Sequence, residues 1–262
     1  MASSLEEWER AERERSAHEA SQTVSSDSLA YPKNVARYHN PPVDTIHPLE
    51  YAFHVLGDVN GKTILEYGCG DGVNTVLLAN RGAHVISLDL SPELIDVAKQ
   101  RLLAHGITTG VDFIVGSAHN LPLPEDSVDV VFGIAILHHL DLGLAANEVR
   151  RVLKRRGLAI FQEPVRNSRL MRFARKLIPY RSPDVSPFER PLTDQELRTF
   201  GKNYSSYRSR PFSLPTTALL NVILSRFRSN STDGLLRYDA ALLKKFPALG
   251  HYSSVKVIEM TK

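Results

Sequence analysis

The sequence predicts a doubly wound α/β fold with a sheet of seven strands. The main observation is that short runs of β-branched and aromatic residues, bounded by turn residues, alternate with segments whose apolar residues recur at helical spacing. A second observation is that a glycine-rich turn joins the first of these strands to the helix that follows it. The strand-like segments are 63–67, a run ending at residue 89, 111–115, 128–134, a run entered at 152–161, 204–212 and 253–261.

Composition and charge restrict the class of protein. The chain has 262 residues, 42% hydrophobic and 23% charged, which fits one α/β domain with insertions. Its net charge is only +3, whereas a nucleic-acid binder is expected to have a concentrated basic face. No run reaches the roughly 18 apolar residues of a membrane span. The N-terminus is unlike a signal peptide, and Cys69 has no second cysteine to pair with. We therefore expect a cytoplasmic protein without a nucleic-acid partner or an integral membrane segment.

The glycine-rich turn has the pattern E-x-G-x-G-x-G, beginning at Glu66 and containing Gly68, Gly70 and Gly72. Positions without a side chain let the backbone approach a ligand closely and adopt dihedral angles that a β-carbon disfavours. The helix expected over 73–80 would point its N-terminal amides and the positive end of its dipole at this turn. The turn is therefore a candidate ligand-binding loop.

Two acidic residues narrow the class of ligand. Asp89 ends the second strand about 20 residues after the turn, where a carboxylate can accept hydrogen bonds from both ribose hydroxyls of a nucleoside. The dinucleotide spacing G-x-G-x-x-G is absent, because its last position falls on Val73 or Thr75. Glu66 places a carboxylate near the loop, which would repel a pyrophosphate and favour a cationic ligand. A nucleoside with a positive charge fits these features.

Residues 62–163 resemble the class I S-adenosylmethionine-dependent methyltransferases, in the small-molecule branch that includes enzymes of ubiquinone and menaquinone biosynthesis. The segment 66–72 looks like the first motif of that family, and Asp89 looks like its ribose-binding acid. The segments that resemble later motifs are 116–131, 134–140 and 152–161. The resemblance implies a Rossmann-like sheet with an antiparallel last hairpin and S-adenosylmethionine as the cofactor.

The resemblance also implies roles for the cofactor-site residues. Asp89 would bind the ribose, and Ile136 would lie beside the cofactor. Ser117 stands where the family usually has aspartate against the adenine amino group, so we expect a weaker hydrogen bond there. We interpret Cys69 as a small turn residue rather than a reactive thiol. The other expected contacts are Glu66, Gly68, Cys69, Gly70 and Gly72 toward the methionine part, and Leu90, Ser117 and Ala118 around adenine.

The candidate catalytic residues are His138, Tyr38 and His39. His138 and His139 are adjacent at the expected C-terminal edge of the sheet, where open α/β sheets bind ligands. Only one of them should enter the cleft, and the resemblance favours His138 as a base, with a loop hydrogen bond as the alternative. Tyr38 or His39 would lie over the methyl-transfer site, although a packing tyrosine and a surface histidine are equally compatible. No metal site is expected, because ligand spacing is absent.

The regions around the core are expected to be helical. We divide the chain into an N-terminal cap or lid (1–56), a cofactor-binding core (57–163), and substrate-specificity insertions with the terminal hairpin (164–262). For 5–20 we favour a solvated helix docked by Trp8, with a lid over the cofactor as the alternative. Glu163 is interpreted either as a substrate contact or as a capping carboxylate. Gly157 would supply the backbone freedom of the Arg-Arg-Gly turn before the fifth strand.

We expect methyl transfer to a small-molecule acceptor, at oxygen or nitrogen rather than carbon. The basic segment 166–176 is compatible with an anionic acceptor, and the apolar segment 214–228 with an apolar acceptor, a homodimer face or a lipid-like ligand. A cofactor-binding protein without turnover is an open alternative. A nicotinamide-dependent oxidoreductase is a weaker one, because of the glycine spacing.

Overall fold

One mixed sheet of seven strands organises the chain. The computed structural model describes residues 2–22, 32–167, 191–215 and 232–262, and the structural statements that follow concern these residues. The strand order is β3-β2-β1-β4-β5-β7-β6. Strand β7 runs in the direction opposite to the other six strands, which are parallel to one another. The strands are β1 (Thr63–Tyr67), β2 (His84–Asp89), β3 (Val111–Val115), β4 (Val128–Ile134), β5 (Leu153–Pro164), β6 (Ser206–Phe212) and β7 (Val255–Thr261). The predicted fold class is confirmed.

Eight α-helices of the described residues surround the sheet, and their ends follow the local sequence signals. The hydroxyl of Ser91 accepts a hydrogen bond from the backbone N–H of Leu94, and Thr193 and Glu196 form a capping box. The helices are α1 (Ala2–Gln22), α2 (Pro32–Arg37), α3 (Pro48–Leu56), α4 (Val73–Ala79), α5 (Pro92–Ala104), α6 (Leu142–Val152), α7 (Asp194–Phe200) and α8 (Thr232–Lys245).

The sheet has a hydrophobic core on each face, because side chains alternate along a strand. On one face Leu65 and Tyr67 pack in a cluster that also contains residues of α6 and α7. On the other face Ile64 packs in a cluster with residues of α3 and α4. Both faces of β1 are therefore buried, which is why the strands read as nearly continuous apolar runs.

The topology defines where a ligand can bind. β1 pairs with β2 on one side and with β4 on the other, so the chain winds outward from β1 in both directions. A crevice forms at the carboxyl ends of the strands at such a switch point. The segments that follow β1, β2, β3 and β4 all meet there.

The structure corrects the prediction for Tyr38 and His39. Tyr38 packs against Phe53 of α3, with ring centroids 5.4 Å apart, within the cluster on the α3 and α4 face. His39 is exposed. The ring of Tyr38 packs on α3 and His39 faces solvent, so these two residues do not lie over the cleft.

The structure also corrects the expectation for the Arg-Arg-Gly turn, which lies within β5 and not before it. The positive φ of 64° belongs to Arg156, so Gly157 is not the residue that supplies the left-handed conformation. A β-carbon at position 157 would lie 2.8 Å from Leu153 Cγ, which shows that glycine is needed there for space.

Two predicted helices fall largely outside the described residues. Most of 166–176 and of 214–228 belongs to the ranges that the structure leaves undescribed, so those interpretations stay predictions. Among the described helices, none is both long and apolar enough to cross a membrane. Nor do the described ranges contain a cluster of histidine, cysteine and carboxylate side chains that could bind a metal ion.

Candidate active site

A cleft of about 330 Å³ lies at the carboxyl edge of the sheet. This volume is within the usual range of roughly 300–1,000 Å³ for small-molecule sites. Helix α1 forms one wall and the ends of β1 to β4 form the other. The main lining residues are Trp8, Glu9, Glu12, Arg15, Ser16 and Glu19 on α1, with Gly68, Gly70, Leu88, Asp89, Leu90, Gly116, Ser117, Ala118, His119, Ile136, His138 and His139 opposite.

The glycine loop has the conformation that its sequence requires. Gly68 and Gly70 have φ values of 79° and 53°. A β-carbon on Gly68 would lie 2.7 Å from Ile136 Cδ1, whereas one on Gly70 would meet no heavy atom within 4 Å. Because Gly70 also lines the cleft, a ligand can reach its backbone directly.

Asp89 is held rigidly at the end of β2. Its Oδ2 accepts a hydrogen bond of 2.9 Å from the backbone N–H of Gly70, and its Oδ1 accepts one of 3.0 Å from that of Ser91. Burial raises the pKa of Asp89, while these donors and the nearby Arg15 oppose the rise. This carboxylate is fixed beside the open glycine loop, where it lines the cleft.

Glu66 lies behind the loop rather than on the cleft wall. Its side chain is buried, and Oε2 accepts hydrogen bonds from Thr75 Oγ1 at 2.5 Å and Ser87 Oγ at 2.8 Å. Within the described part of the chain, the buried Oε1 has no hydrogen-bond partner. Burial raises the pKa of Glu66 to about 7. The geometry gives Glu66 a supporting position beneath the loop.

Cys69 and Gly72 are also absent from the cleft lining. Cys69 is buried, and its N–H donates to the carbonyl of Leu88 at 2.9 Å. Burial, with the nearby carboxylates of Glu66 and Asp89, raises the pKa of the Cys69 thiol well above its ordinary value. Gly72 begins α4, where a β-carbon would lie 2.6 Å from Ala98 Cβ. Neither Cys69 nor Gly72 lines the cleft in this structure, and their contact with the methionine part stays a prediction.

His138 and Glu163 form a buried pair in the cleft. Glu163 Oε2 lies 2.8 Å from His138 Nδ1, and Glu163 Oε1 accepts hydrogen bonds from the backbone N–H groups of Ile136 and Leu137. Because Oε1 already accepts from two backbone donors, we interpret the Oε2 contact as a hydrogen bond donated by His138 Nδ1, a tautomer in which the ring lone pair is on Nε2. Glu163 thus fixes both the ring and the loop that follows β4.

Two carboxylates of helix α1, Glu9 and Glu12, contact two histidines that the sequence pattern did not assign to the site, His119 and His139. Glu9 Oε1 contacts His119 Nδ1 at 2.9 Å and also accepts from the Ser117 hydroxyl. Glu12 Oε2 lies 3.1 Å from His139 Nδ1, an ion-pair contact that is not aligned as a hydrogen bond. His138 and His139 both line the cleft, with ring centroids 4.1 Å apart, so the expectation that only one of them enters it is wrong.

The expectation of a solvated N-terminal helix is therefore wrong. Glu12 and Ser16 of α1 are only 7% and 5% exposed. The sequence does contain a pattern that indicates the docked face of α1, because residues three and four apart on a helix share a face. The pattern is a stripe that consists of Trp8, Glu12, Arg15 and Glu19. Its polar character concealed it, since an apolar stripe is the usual mark of a docked helix.

Comparison with known proteins agrees with this geometry. Residues 65–161 match the family model described as a methyltransferase domain. Malonyl-[acyl-carrier protein] O-methyltransferase of Serratia marcescens is 33% identical over 102 residues, 38% of each chain. Ubiquinone biosynthesis O-methyltransferase of Paraburkholderia xenovorans is 29% identical over 62% of this chain and 72% of its own length. The matches to the first two curated relatives, both malonyl-[acyl-carrier protein] O-methyltransferases, span under two fifths of their length.

A solved structure supports the fold independently. Haemonchus contortus phosphoethanolamine N-methyltransferase 2, determined with phosphomonomethylethanolamine and S-adenosylhomocysteine, matches with a TM-score of 0.56 at 16% identity. The match covers 88% of this chain and 52% of that protein. The sheet order, the glycine loop and Asp89 agree with the match of residues 65–161 to a methyltransferase domain, and this part of the chain is similar to the S-adenosylmethionine-dependent methyltransferases.

Proposed function

We propose that this protein transfers the methyl group of S-adenosylmethionine to an oxygen or nitrogen atom of a small-molecule acceptor, with His138 as the base. The observation that carries the proposal is the His138–Glu163 pair, which lies in the same cleft as the glycine loop and Asp89. A binding site and a proton acceptor thus share one cavity.

The residues of the cleft fit the cofactor. Asp89 offers a carboxylate to the ribose hydroxyls, and the open backbone at Gly70 leaves room for the ligand. Leu90 and Ala118 supply apolar surface toward the purine end. S-adenosylmethionine, when bound, supplies a methyl group that is already activated as a sulfonium, so alignment of the acceptor contributes much of the catalysis.

His138 would manage the acceptor's proton. With Nδ1–H held by Glu163, Nε2 takes the proton from an acceptor O–H or N–H as that atom becomes nucleophilic. The carboxylate of Glu163 then stabilises the imidazolium. Oxygen acceptors are favoured by the names of the curated relatives, which are O-methyltransferases. Neither Tyr38 nor His39 takes part in this scheme.

The wider setting follows from the same features. We place the protein in the cytoplasm, with α1 as a lid over the cleft, residues 57–163 as the cofactor-binding core and 164–262 as the acceptor-specific part. The buried, inert thiol of Cys69 suits a reducing compartment. A small-molecule acceptor without a nucleic-acid partner agrees with the mild net charge of +3. A homodimer is part of this proposal.

The test pairs two substitutions at the base. In Glu163→Gln the amide oxygen can keep the two backbone donors, while the amide nitrogen faces Nδ1 and forces the proton of His138 onto Nε2. We expect this variant and His138→Asn to bind S-adenosylhomocysteine as tightly as the unaltered protein does. Transfer of labelled methyl groups to a panel of phenols, carboxylic acids and amines should fall by roughly 10²–10⁴-fold.

The outcomes separate the alternatives. Full turnover by both variants on an acceptor of the unaltered protein would remove His138 as the base. Tight cofactor binding without transfer to any acceptor would instead favour a cofactor-binding protein without turnover.

A further inference from the structure

The sheet order indicates which end of the cleft receives the purine of the cofactor. Asp89, the proposed ribose ligand, ends β2, and β2 lies between β3 and β1 in the sheet, with β4 beyond β1. The ribose joins the purine on one side and the sulfonium on the other. The methyl group must point toward His138, which follows β4, so the purine must extend toward the segment after β3.

Four residues form that purine end. Gly116, Ser117 and Ala118 follow β3, and Leu90 follows β2. Leu90 and Ala118 provide apolar contact for the ring faces, but none of the four side chains carries a charge. Adenine presents an exocyclic amino group, whose two protons need an acceptor once they are removed from water.

Helix α1 places a carboxylate at this end. Glu9 lines the cleft, and its Oε1 accepts from the Ser117 hydroxyl and lies 2.9 Å from His119 Nδ1. The backbone N–H of Asp141 donates to His119 Nε2 at 2.9 Å, so Nδ1 carries the proton and donates to Glu9. Glu9 is therefore fixed in position by two donors from the loop after β3.

The second carboxylate oxygen of Glu9 is available to a ligand in the cleft. Both contacts use Oε1, and Oε2 has no hydrogen-bond partner among the described residues. The Trp8 ring packs edge-on against His119, with centroids 6.4 Å apart, and closes the end of the cleft beside Glu9. An acceptor oxygen in a partly enclosed site selects a donor over another acceptor.

We infer that Glu9 is a specificity-determining residue that accepts a hydrogen bond from the adenine amino group, supplying from α1 the carboxylate that Ser117 does not provide. The inference rests on the proposed function, because it requires the cleft to hold S-adenosylmethionine. It makes α1 part of the cofactor site and not only its cover.

Two ligands that differ at one purine position test the inference. S-adenosylhomocysteine carries the 6-amino donor, and S-inosylhomocysteine carries a 6-oxo acceptor in its place. In Glu9→Gln the amide oxygen can keep Ser117 and His119, so the amide nitrogen replaces Oε2 and turns an acceptor into a donor. The exposed Glu14 on the same helix gives the matched control Glu14→Gln.

Dissociation constants for both ligands, measured by calorimetry, give the discrimination ratio. The unaltered protein and Glu14→Gln should prefer S-adenosylhomocysteine by roughly 10- to 100-fold, the usual effect of one charged hydrogen bond. In Glu9→Gln the ratio should fall to within about threefold of one, since the amide can donate to the 6-oxo group. No turnover is needed for this measurement.

A purely structural role would leave the ratio unchanged. If Glu9 only anchors α1, the substitution weakens both ligands equally, and the same ratio in Glu9→Gln and the unaltered protein overturns the inference. If the unaltered protein binds neither ligand, the proposed function fails and the inference falls with it. The two failures are therefore distinguishable.

Discussion

The two walls of the cleft are held by different forces. The sheet wall consists of strand ends and the glycine loop, and it rests on the hydrophobic cores of both sheet faces. The α1 wall is held partly by polar contacts, with Glu9 on Ser117 and His119 and Glu12 on His139. The sheet wall should therefore be rigid and the α1 wall easier to open, as binding of a cofactor requires.

The walls also differ in the range of their contacts along the chain. Gly70 and Asp89 are 19 residues apart, whereas Glu9 and His119 are 110 apart. Short-range contacts leave local patterns that a sequence reveals. A carboxylate that contacts a histidine more than 100 residues later leaves no such pattern, which is why the sequence alone predicts a solvated helix at the α1 wall.

The largest expected effect is loss of Glu163 from the sheet wall. In Glu163→Ala two backbone N–H groups and the His138 donor lose their acceptor in a fully buried position. We expect the free energy of unfolding in urea to fall by about 3–5 kcal/mol. Glu163→Gln should retain most of that stability. Equal losses in the two variants would contradict the hydrogen-bond account.

Glu66 should make the stability of the sheet wall depend on pH. Burial raises its pKa from the ordinary value of 4.5 to about 7, so the folded protein holds this proton more tightly than the unfolded chain does. Its stabilising contribution is complete below about pH 4.5 and is lost as the pH rises through about 7.

The control for this pH dependence is Glu66→Gln, which does not titrate. Between about pH 5 and pH 8 its free energy of unfolding should gain about 2–3 kcal/mol relative to the unaltered protein. A constant difference across that range, measured by urea unfolding at each pH, would show that Glu66 does not titrate as described.

Substitutions at two glycines of the loop should distinguish an effect on folding from an effect on ligand binding. In Gly72→Ala the new β-carbon meets Ala98 at 2.6 Å with φ at 82°, so we expect a loss of about 2–3 kcal/mol in unfolding free energy. Gly70→Ala meets no atom within 4 Å and should cost only about 1 kcal/mol of conformational strain. The Gly70 variant should nevertheless lose affinity for S-adenosylhomocysteine, because its methyl group enters the cleft. Normal affinity would show that the ligand lies elsewhere.

The smallest effect is expected on the α1 wall. Glu12 contacts His139 and Arg15 at 3.1 Å without well-aligned hydrogen bonding to the histidine. Glu12→Gln keeps the shape of the side chain and an oxygen that can accept from Arg15 Nε, so the free energy of unfolding should change by only about 1 kcal/mol. The exposed control Glu14→Gln should lie within about 0.5 kcal/mol of the unaltered protein. A loss as large as that of Glu163→Ala would remove the distinction between the walls.

The sequence predicted the sheet wall closely. The strands Thr63–Tyr67, Val111–Val115 and Val128–Ile134 have the expected bounds, because turn residues precede each of these runs of β-branched and apolar residues. Gly68, Gly70, Asp89 and His138 meet in one cleft as expected, since parallel strands bring their carboxyl ends to one edge.

The misses have a common physical origin. Tyr38 could have faced either the cleft or a core, and only tertiary packing against Phe53 decides between them. Arg156 adopts the left-handed conformation and its N–H donates to the carbonyl of Lys262, a contact more than 100 residues away that the adjacent Gly157 does not reveal. Glu9, Glu12 and His119 depend on the docking of α1, which polar contacts help to fix. Local pattern cannot resolve choices that long-range contacts make.

Thermal unfolding with S-adenosylhomocysteine and with NAD in parallel tests the central claim most directly. A ligand at about 100 times its dissociation constant stabilises the folded state by about 2.7 kcal/mol, which raises Tm by several degrees. The account predicts such a shift with S-adenosylhomocysteine, none with NAD, and its loss in Asp89→Ala. A shift with NAD alone, or one with S-adenosylhomocysteine that persists in Asp89→Ala, would contradict it.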